Sequence, residues 1–228
     1  MTNFPFDLIG FDLDGTLFDT SGDLANAVNA TLASINIPSL SLATVRGFIG
    51  GGGRHMLAQA IGVERPIKDA ELDLLYGYFL NQYRKHIADE TQSYPGLADA
   101  LDDLTERGVK LAVVTNKREE LTLALLDELG WRNRYAVIIG AGTLPSGILK
   151  PDPAPLYAMI ERSGGSIGTT RAAFVGDSRF DVNAARNAGI PSIAVSFGFS
   201  NCPVLELGAD AVIDHYDELI DKLTALSI

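Results

Sequence analysis

Apolar residues along this chain recur with two different periods. Short continuous runs at Leu8-Ile9-Gly10-Phe11 and at residues 110–115, 136–140, 172–175, 192–195 and 211–213 show no alternation, which predicts strands buried on both faces. Between the second and third runs the period becomes helical. Leu121, Leu125, Leu126 and Leu129 share one stripe over residues 117–129, and Gly130 stops it. Strands alternating with helices predict βαβ units, and so a Rossmann-like, doubly wound α/β core with a parallel sheet.

One interval breaks this rhythm. Nearly a hundred residues separate the first strand from Lys110, and no convincing strand lies among them. Leu24, Val28, Leu32 and Ile35 recur at helical spacing, as do Leu72, Leu75, Phe79 and Tyr83. A helical insert over residues 20–88 is therefore expected, with the α/β core made of residues 1–19 and 89–228. Tyr94-Pro95-Gly96 marks the return to the core. The run Gly50 to Gly53 reads as a loop inside the insert. No Gly-Lys-Ser/Thr follows it and it does not directly follow a strand, so it is neither a P-loop nor a dinucleotide fingerprint.

Composition narrows the partners. Among 228 residues, 46% are hydrophobic, enough to bury a core, and the net charge is −11. That field repels nucleic acid and anionic membrane surfaces. An anionic small substrate would need a metal ion or a local cluster of Lys and Arg. Cys202 is the single cysteine, so no internal disulfide forms, and the first residues lack the basic start and apolar run of a signal peptide. No stretch approaches the roughly 20 apolar residues of a membrane span. The expected location is the cytoplasm.

In an open parallel sheet, ligands bind beyond the carboxyl ends of the strands. After the first predicted strand come Asp12, Asp14, Gly15 and Thr16; at the end of the second come Thr115 and, just beyond it, Asn116; after the fourth come Gly176, Asp177, Ser178 and Asp181. Carboxylates crowded at one sheet edge repel one another and are costly to bury unpaired, and a hard cation such as Mg²⁺ resolves this. Asp12 and Asp177 are the preferred ligands, and Lys150 is the cation expected to meet an anion beside them. A calcium loop is excluded, because setting Gly15 at its sixth position puts Gly10 at the first and Ser21 at the twelfth. Local readings remain open for several of these residues. Asp12-x-Asp14-Gly15 also suits a simple turn. Ser178-x-x-Asp181 and Asn116-x-x-Glu119 match helix capping boxes, although a helix N-terminus after Thr115 would equally receive a phosphate. In the insert, Arg46, Arg54 and His55 are candidate substrate contacts.

Four segments together carry a resemblance: Asp12-Leu13-Asp14-Gly15-Thr16-Leu17, Thr115-Asn116-Lys117, Lys150-Pro151-Asp152-Pro153-Ala154-Pro155 and Gly176-Asp177-Ser178-Arg179-Phe180-Asp181. In order and spacing they resemble the four motifs of the haloacid dehalogenase superfamily, in its phosphoglycolate phosphatase-like branch, over residues 7–214. The insert resembles that superfamily's helical, C1-type cap. The resemblance implies a Mg²⁺-dependent phosphatase of a small phosphorylated metabolite. The Phe48-to-Gly52 loop and Gly198-Phe199-Ser200 resemble phosphatases of 2-phosphoglycolate. It further implies Asp12 as a nucleophile that becomes phosphorylated and Asp14 as the acid and base. Mg²⁺ would rest on Asp12, the backbone carbonyl of Asp14 and Asp177. Thr115, Asn116, Lys150, Arg54 and Gly51 would surround the phosphate and substrate, with Asp181 and Ser178 in support. No nucleic acid or membrane partner is implied, and a monomer or a homodimer both fit. A sugar phosphomutase shares the four motifs, and pyrophosphate, nucleotides or sugar phosphates remain alternative substrates. A receiver-type phospho-switch also sets acids, a Thr and a Lys around Mg²⁺, but the insert after the first strand argues against it.

Overall fold

The computed structural model describes residues 4–145 and 147–226. The chain begins with β1 (Leu8–Phe11) and a short β2 (Phe18–Asp19), then runs through four helices, α1 (Ser21–Ser34), α2 (Leu42–Arg46), α3 (Gly53–Gly62) and α4 (Asp69–Lys85). It returns through β3 (Gln92–Ser93) and α5 (Leu97–Glu106). From there strands and helices alternate: β4 (Lys110–Arg118), α6 (Glu119–Glu128), β5 (Val137–Ala141), α7 (Ala154–Arg162), β6 (Ala172–Gly176), α8 (Arg179–Ala188), β7 (Ser192–Val195), β8 (Ala211–Ile213) and α9 (Leu219–Ala225).

The six long-range strands form one parallel sheet in the order β5-β4-β1-β6-β7-β8. β1 sits inside it, with Leu8 opposite Lys110 on one side and Ala172 on the other. Both of its faces are covered, which is why its sequence is apolar without alternation. Ile9 and Phe11 point into the cluster holding Leu97, Leu101 and Leu104 of α5; Leu8 points into the one holding Leu156 and Met159 of α7. Gly10 faces α7 at such close range that a Cβ there would stand 2.3 Å from Met159 Sδ. Burying side chains of this size stabilises by about 1.5–3 kcal/mol each.

Two local expectations differ from the structure. β4 continues to Arg118, three residues past the predicted end, and α6 starts only at Glu119. The Asn116-x-x-Glu119 box therefore does not form, because the Asn116 side chain is engaged elsewhere. The interval after β1 also holds strands after all: β2 and β3 pair antiparallel, Phe18 with Ser93 and Asp19 with Gln92, and make the stem of the insert. A two-residue ladder is too short to leave a period in the sequence.

Helices α1 to α4 fill the interval between the stem strands. Leu24, Val28 and Leu32 of α1 meet Leu72, Phe79 and Tyr83 of α4. These residues belong to the same apolar cluster as Ile9 and Phe11, so the insert is seated on the sheet through shared core. Among the described residues, no helix is long and apolar enough to cross a membrane.

Candidate active site

The parallel sheet brings its carboxyl ends to one edge, and the chemistry-bearing residues gather there. Asp12 directly follows β1, Thr115, Asn116 and Lys117 lie at the carboxyl end of β4, Asp177 follows β6, and Asp181 stands in the first turn of α8. Lys150 arrives on the loop after β5. All seven are buried. Lys150 is the centre of the arrangement. Its Nζ donates to Asp181 Oδ1 at 2.6 Å and to the Val114 carbonyl at 2.8 Å, and it lies 2.8 Å from Asp12 Oδ1. Ser178-x-x-Asp181 does form a capping box: Asp181 Oδ2 accepts from the Ser178 N–H at 3.0 Å and from its hydroxyl at 2.6 Å. The capping and lysine-orienting roles thus fall on different oxygens of one carboxylate.

Asp177 is held by packing. Its Oδ2 accepts from the Phe199 N–H at 2.6 Å. Gly15, at φ +83°, and Gly198 press against it so closely that a Cβ would stand 2.4 Å from Oδ2 at the first position and 2.2 Å from Cβ at the second. Only glycine gives both this backbone conformation at residue 15 and this approach.

Carboxylate oxygens of Asp12, Asp177 and Asp181 lie within 4.8 Å of one another. Burial pushes the Asp12 carboxyl up to about 6; the Lys150 ammonium opposes this, while Asp181 and Asp14 reinforce it. Burial, with Asp181 and Asp12 beside it, likewise drives Asp177 well above the usual carboxylate range. The Lys150 ammonium is the one group of opposite charge against Asp12 Oδ1 among the described residues. The four carboxylates of Asp12, Asp14, Asp177 and Asp181 face the two ammonium groups of Lys117 and Lys150, an excess of two negative charges when all are ionised. A buried, all-oxygen cluster carrying that excess fits a hard divalent cation.

Asp14 turns the other way. Its Oδ1 accepts from Lys117 Nζ at 2.8 Å and from the Thr20 hydroxyl at 2.7 Å. Burial alone would lower the Lys117 ammonium, but Asp14 and the Tyr83 phenol beside it hold it well above the usual lysine range. Lys117 Nζ lies 4.5 Å from the centroid of the Tyr83 ring. Thr20, Lys117 and Tyr83 were not among the sequence-derived site residues. Lys117 stood inside the Thr115-Asn116-Lys117 motif, but its partners lie 103 and 34 residues away in the chain, a relation no local pattern displays.

Asp12, Asp14, Thr115, Asn116 and Lys117 line one side of a cavity of about 490 Å³, mouth included, between core and insert. Asn116 ties its rim together: its amide donates to the Gly50 carbonyl of the insert and the Lys150 carbonyl, both at 3.1 Å, and its Oδ1 accepts from the Lys150 N–H at 2.9 Å. Four expected substrate contacts, Arg46, Gly51, Arg54 and His55, lie elsewhere. Arg54 pairs with Asp73 at 2.9 Å and Asp69 at 3.0 Å on the exposed face of the insert. Gly51 lines a separate cleft with His55, Arg179 and Cys202, while Gly50, Gly52 and Gly53 face the cavity. Arg46 pairs with Asp19 of the stem and lies over the Phe199 ring.

Residues 9–195 match the family model for haloacid dehalogenase-like hydrolases. The chain is 38% identical over 225 residues to a phosphoglycolate phosphatase of Agrobacterium fabrum, covering 98% of this chain and 95% of that protein. It is 41% identical over 209 residues to a phosphoglycolate phosphatase of Caulobacter vibrioides, covering 91% and 86%. Among solved structures, a predicted phosphoglycolate phosphatase from Haemophilus somnus superposes with a TM-score of 0.86 at 30% identity, covering 95% of this chain and 97% of that one.

Proposed function

Because the chain belongs to the haloacid dehalogenase-like hydrolases and is a phosphoric monoester hydrolase, we propose that its substrate is a small phosphorylated acid, 2-phosphoglycolate first, cleaved through a phosphorylated Asp12 with Mg²⁺ alongside. The names of the relatives support this substrate. The observation that carries the mechanism is the pairing of two carboxylates on one cavity, two residues apart yet differently surrounded. Asp12 lies against Lys150, and Asp14 lies across from it on Lys117 and Thr20.

In this reading an Asp12 oxygen attacks phosphorus, the ester P–O bond breaks, and its electron pair goes to the alkoxide. Asp14 supplies the proton that alkoxide takes. A water then attacks phosphorus of the phosphorylated Asp12 and gives its proton to Asp14; the O–P bond to Asp12 breaks, its electron pair returns to the carboxylate, and inorganic phosphate leaves. Lys150 and Thr115 hold the phosphoryl oxygens, and Asp181 keeps the Lys150 ammonium in place. Asp12, Asp177 and the backbone carbonyl of Asp14 would hold Mg²⁺, which when bound neutralises charge on the phosphoryl group. The insert shields the reacting centre from bulk water.

The test is phosphate release from 2-phosphoglycolate, hexose phosphates, nucleotides and pyrophosphate, with Mg²⁺ or with chelator. Release is expected to be fastest from 2-phosphoglycolate, to stop with chelator, and to fall by at least about 10³-fold in Asp12→Asn, since removing a nucleophile leaves only residual binding catalysis. Full turnover in Asp12→Asn would overturn the mechanism, and preference for another ester would move the substrate.

A further inference from the structure

The hydrolysis described above leaves a group on each of two buried polar residues of the cavity wall without a task. One is the Tyr83 hydroxyl, which is buried beside the Lys117 ammonium and whose own proton meets no acceptor among the described residues. Tyr83 comes from α4 and closes an aromatic ladder in which Tyr76, Phe79 and Tyr83 stack with centroids 6.0 and 6.1 Å apart. The ladder holds the ring in place, so its hydroxyl is preset. The other is the remaining N–H of Lys117. A lysine has three protons to donate, and among the described residues Asp14 is the one carboxylate that accepts from this ammonium, at 2.8 and 3.2 Å. The residues around them, Leu24, Met56, Phe79 and Leu80, are apolar. Arg118 and Tyr76 also reach this wall, but the Arg118 side chain is exposed to solvent, donates to Glu120 at 3.1 Å and lies against the Tyr76 phenol.

A buried donor without an acceptor weakens the fold unless something fills it, so a ligand bearing an acceptor at this point gains what a hydrocarbon cannot. Burial pushes the Tyr83 phenol up to about 12, which keeps it a donor at neutral pH. The acceptor that suits a phenol donor and an ammonium together is an anionic oxygen. Resting on the phosphatase reading above, we propose that Tyr83 and Lys117 form the recognition pair for an acid group on the part of the substrate that is not transferred. The enzyme thereby selects phosphate esters of small hydroxy acids over esters of neutral alcohols. The transferred phosphoryl group belongs to Lys150 and Thr115, and the acid group is read from the insert side, where α4 meets the end of β4.

The comparison that isolates this pair is 2-phosphoglycolate against ethyl phosphate, which differ in the carboxylate alone. Wild type is expected to favour the acid ester by 30-fold or more in kcat/KM. Tyr83→Phe removes one hydroxyl and keeps the stacked ring, so folding should be retained, as a thermal melt would verify. Its kcat/KM should fall about tenfold on 2-phosphoglycolate, mainly through KM, and less than threefold on ethyl phosphate. Glycolate, tested as an inhibitor of ethyl phosphate hydrolysis, should bind about tenfold more weakly to the variant. Equal turnover of the two esters by wild type, or equal losses on both in Tyr83→Phe, would overturn this inference and leave the phosphatase reading intact. So would Asp12-dependent hydrolysis of hexose phosphates with neither of these esters accepted. Failure to hydrolyse any ester would overturn the phosphatase reading and this inference with it.

Discussion

Asp12 leaves one of the most buried strands of the sheet carrying a charge, and its environment decides how that charge is kept. Burial raises its carboxyl to about 6 from an ordinary value of 3.8. The folded chain therefore binds this proton more tightly than the unfolded chain does. Stability from Asp12 is present below the unfolded value and is lost as pH rises through about 6, an effect on the order of 2–3 kcal/mol. In the presence of chelator, the melting temperature should fall between pH 4 and 7. Added Mg²⁺ should restore it by an increment that grows with pH over the same window. A metal-free melting temperature that rises through this window would contradict the assigned environment. Lys117 poses the converse problem, since its removal leaves Asp14 with the Thr20 hydroxyl as its one remaining hydrogen-bond donor among the described residues. Lys117→Met should destabilise by about 3–5 kcal/mol, the cost of stranding one member of a buried ion pair, as measured by denaturant unfolding.

At the level of elements, strand ends deliver the reactive groups and turns fix their directions. The loop after β7 supplies the Phe199 N–H to Asp177, and it can come that close because residue 198 has no side chain. Gly198→Ala should therefore displace Asp177 or the loop. Calorimetric titration is expected to show Mg²⁺ affinity reduced at least tenfold, the usual scale for disturbing groups that orient metal ligands. Unchanged affinity would remove Asp177 from the ligand set. Strand β4 shows why element boundaries were harder to read. Asn116 could have capped a helix, but its side chain binds Lys150 and Gly50 instead, and the extended backbone that this requires carries the strand to Arg118.

For the whole molecule, the question is whether core and insert behave as one cooperative unit. They share one apolar cluster, and the stem is locked by Asp23 of α1, whose buried carboxylate accepts from the Glu90 N–H at 3.0 and 3.2 Å and from the Thr91 hydroxyl at 2.7 Å. A single calorimetric transition is expected. Asp23→Ala should lower stability by about 2–3 kcal/mol, because it removes charge-assisted bonds and leaves buried donors unmet. Two separated transitions in the wild type would show that the shared cluster does not couple the halves.

The hydrophobic pattern by itself determined the six strands of the sheet, the helical character of the insert, and the arrival of Asp12, Thr115 and Asp177 at one edge. Those features follow from period and strand direction, which are properties of neighbouring residues. The Lys117–Asp14–Tyr83 contact, the stem ladder of β2 and β3, and the engagement of Arg54 by Asp69 and Asp73 were decided only by tertiary structure. Each depends on groups far apart in the chain, or on runs too short to show a period, meeting at a few ångströms. A side chain finds its partner by where the packed elements place it, and that placement is written in no single stretch of residues.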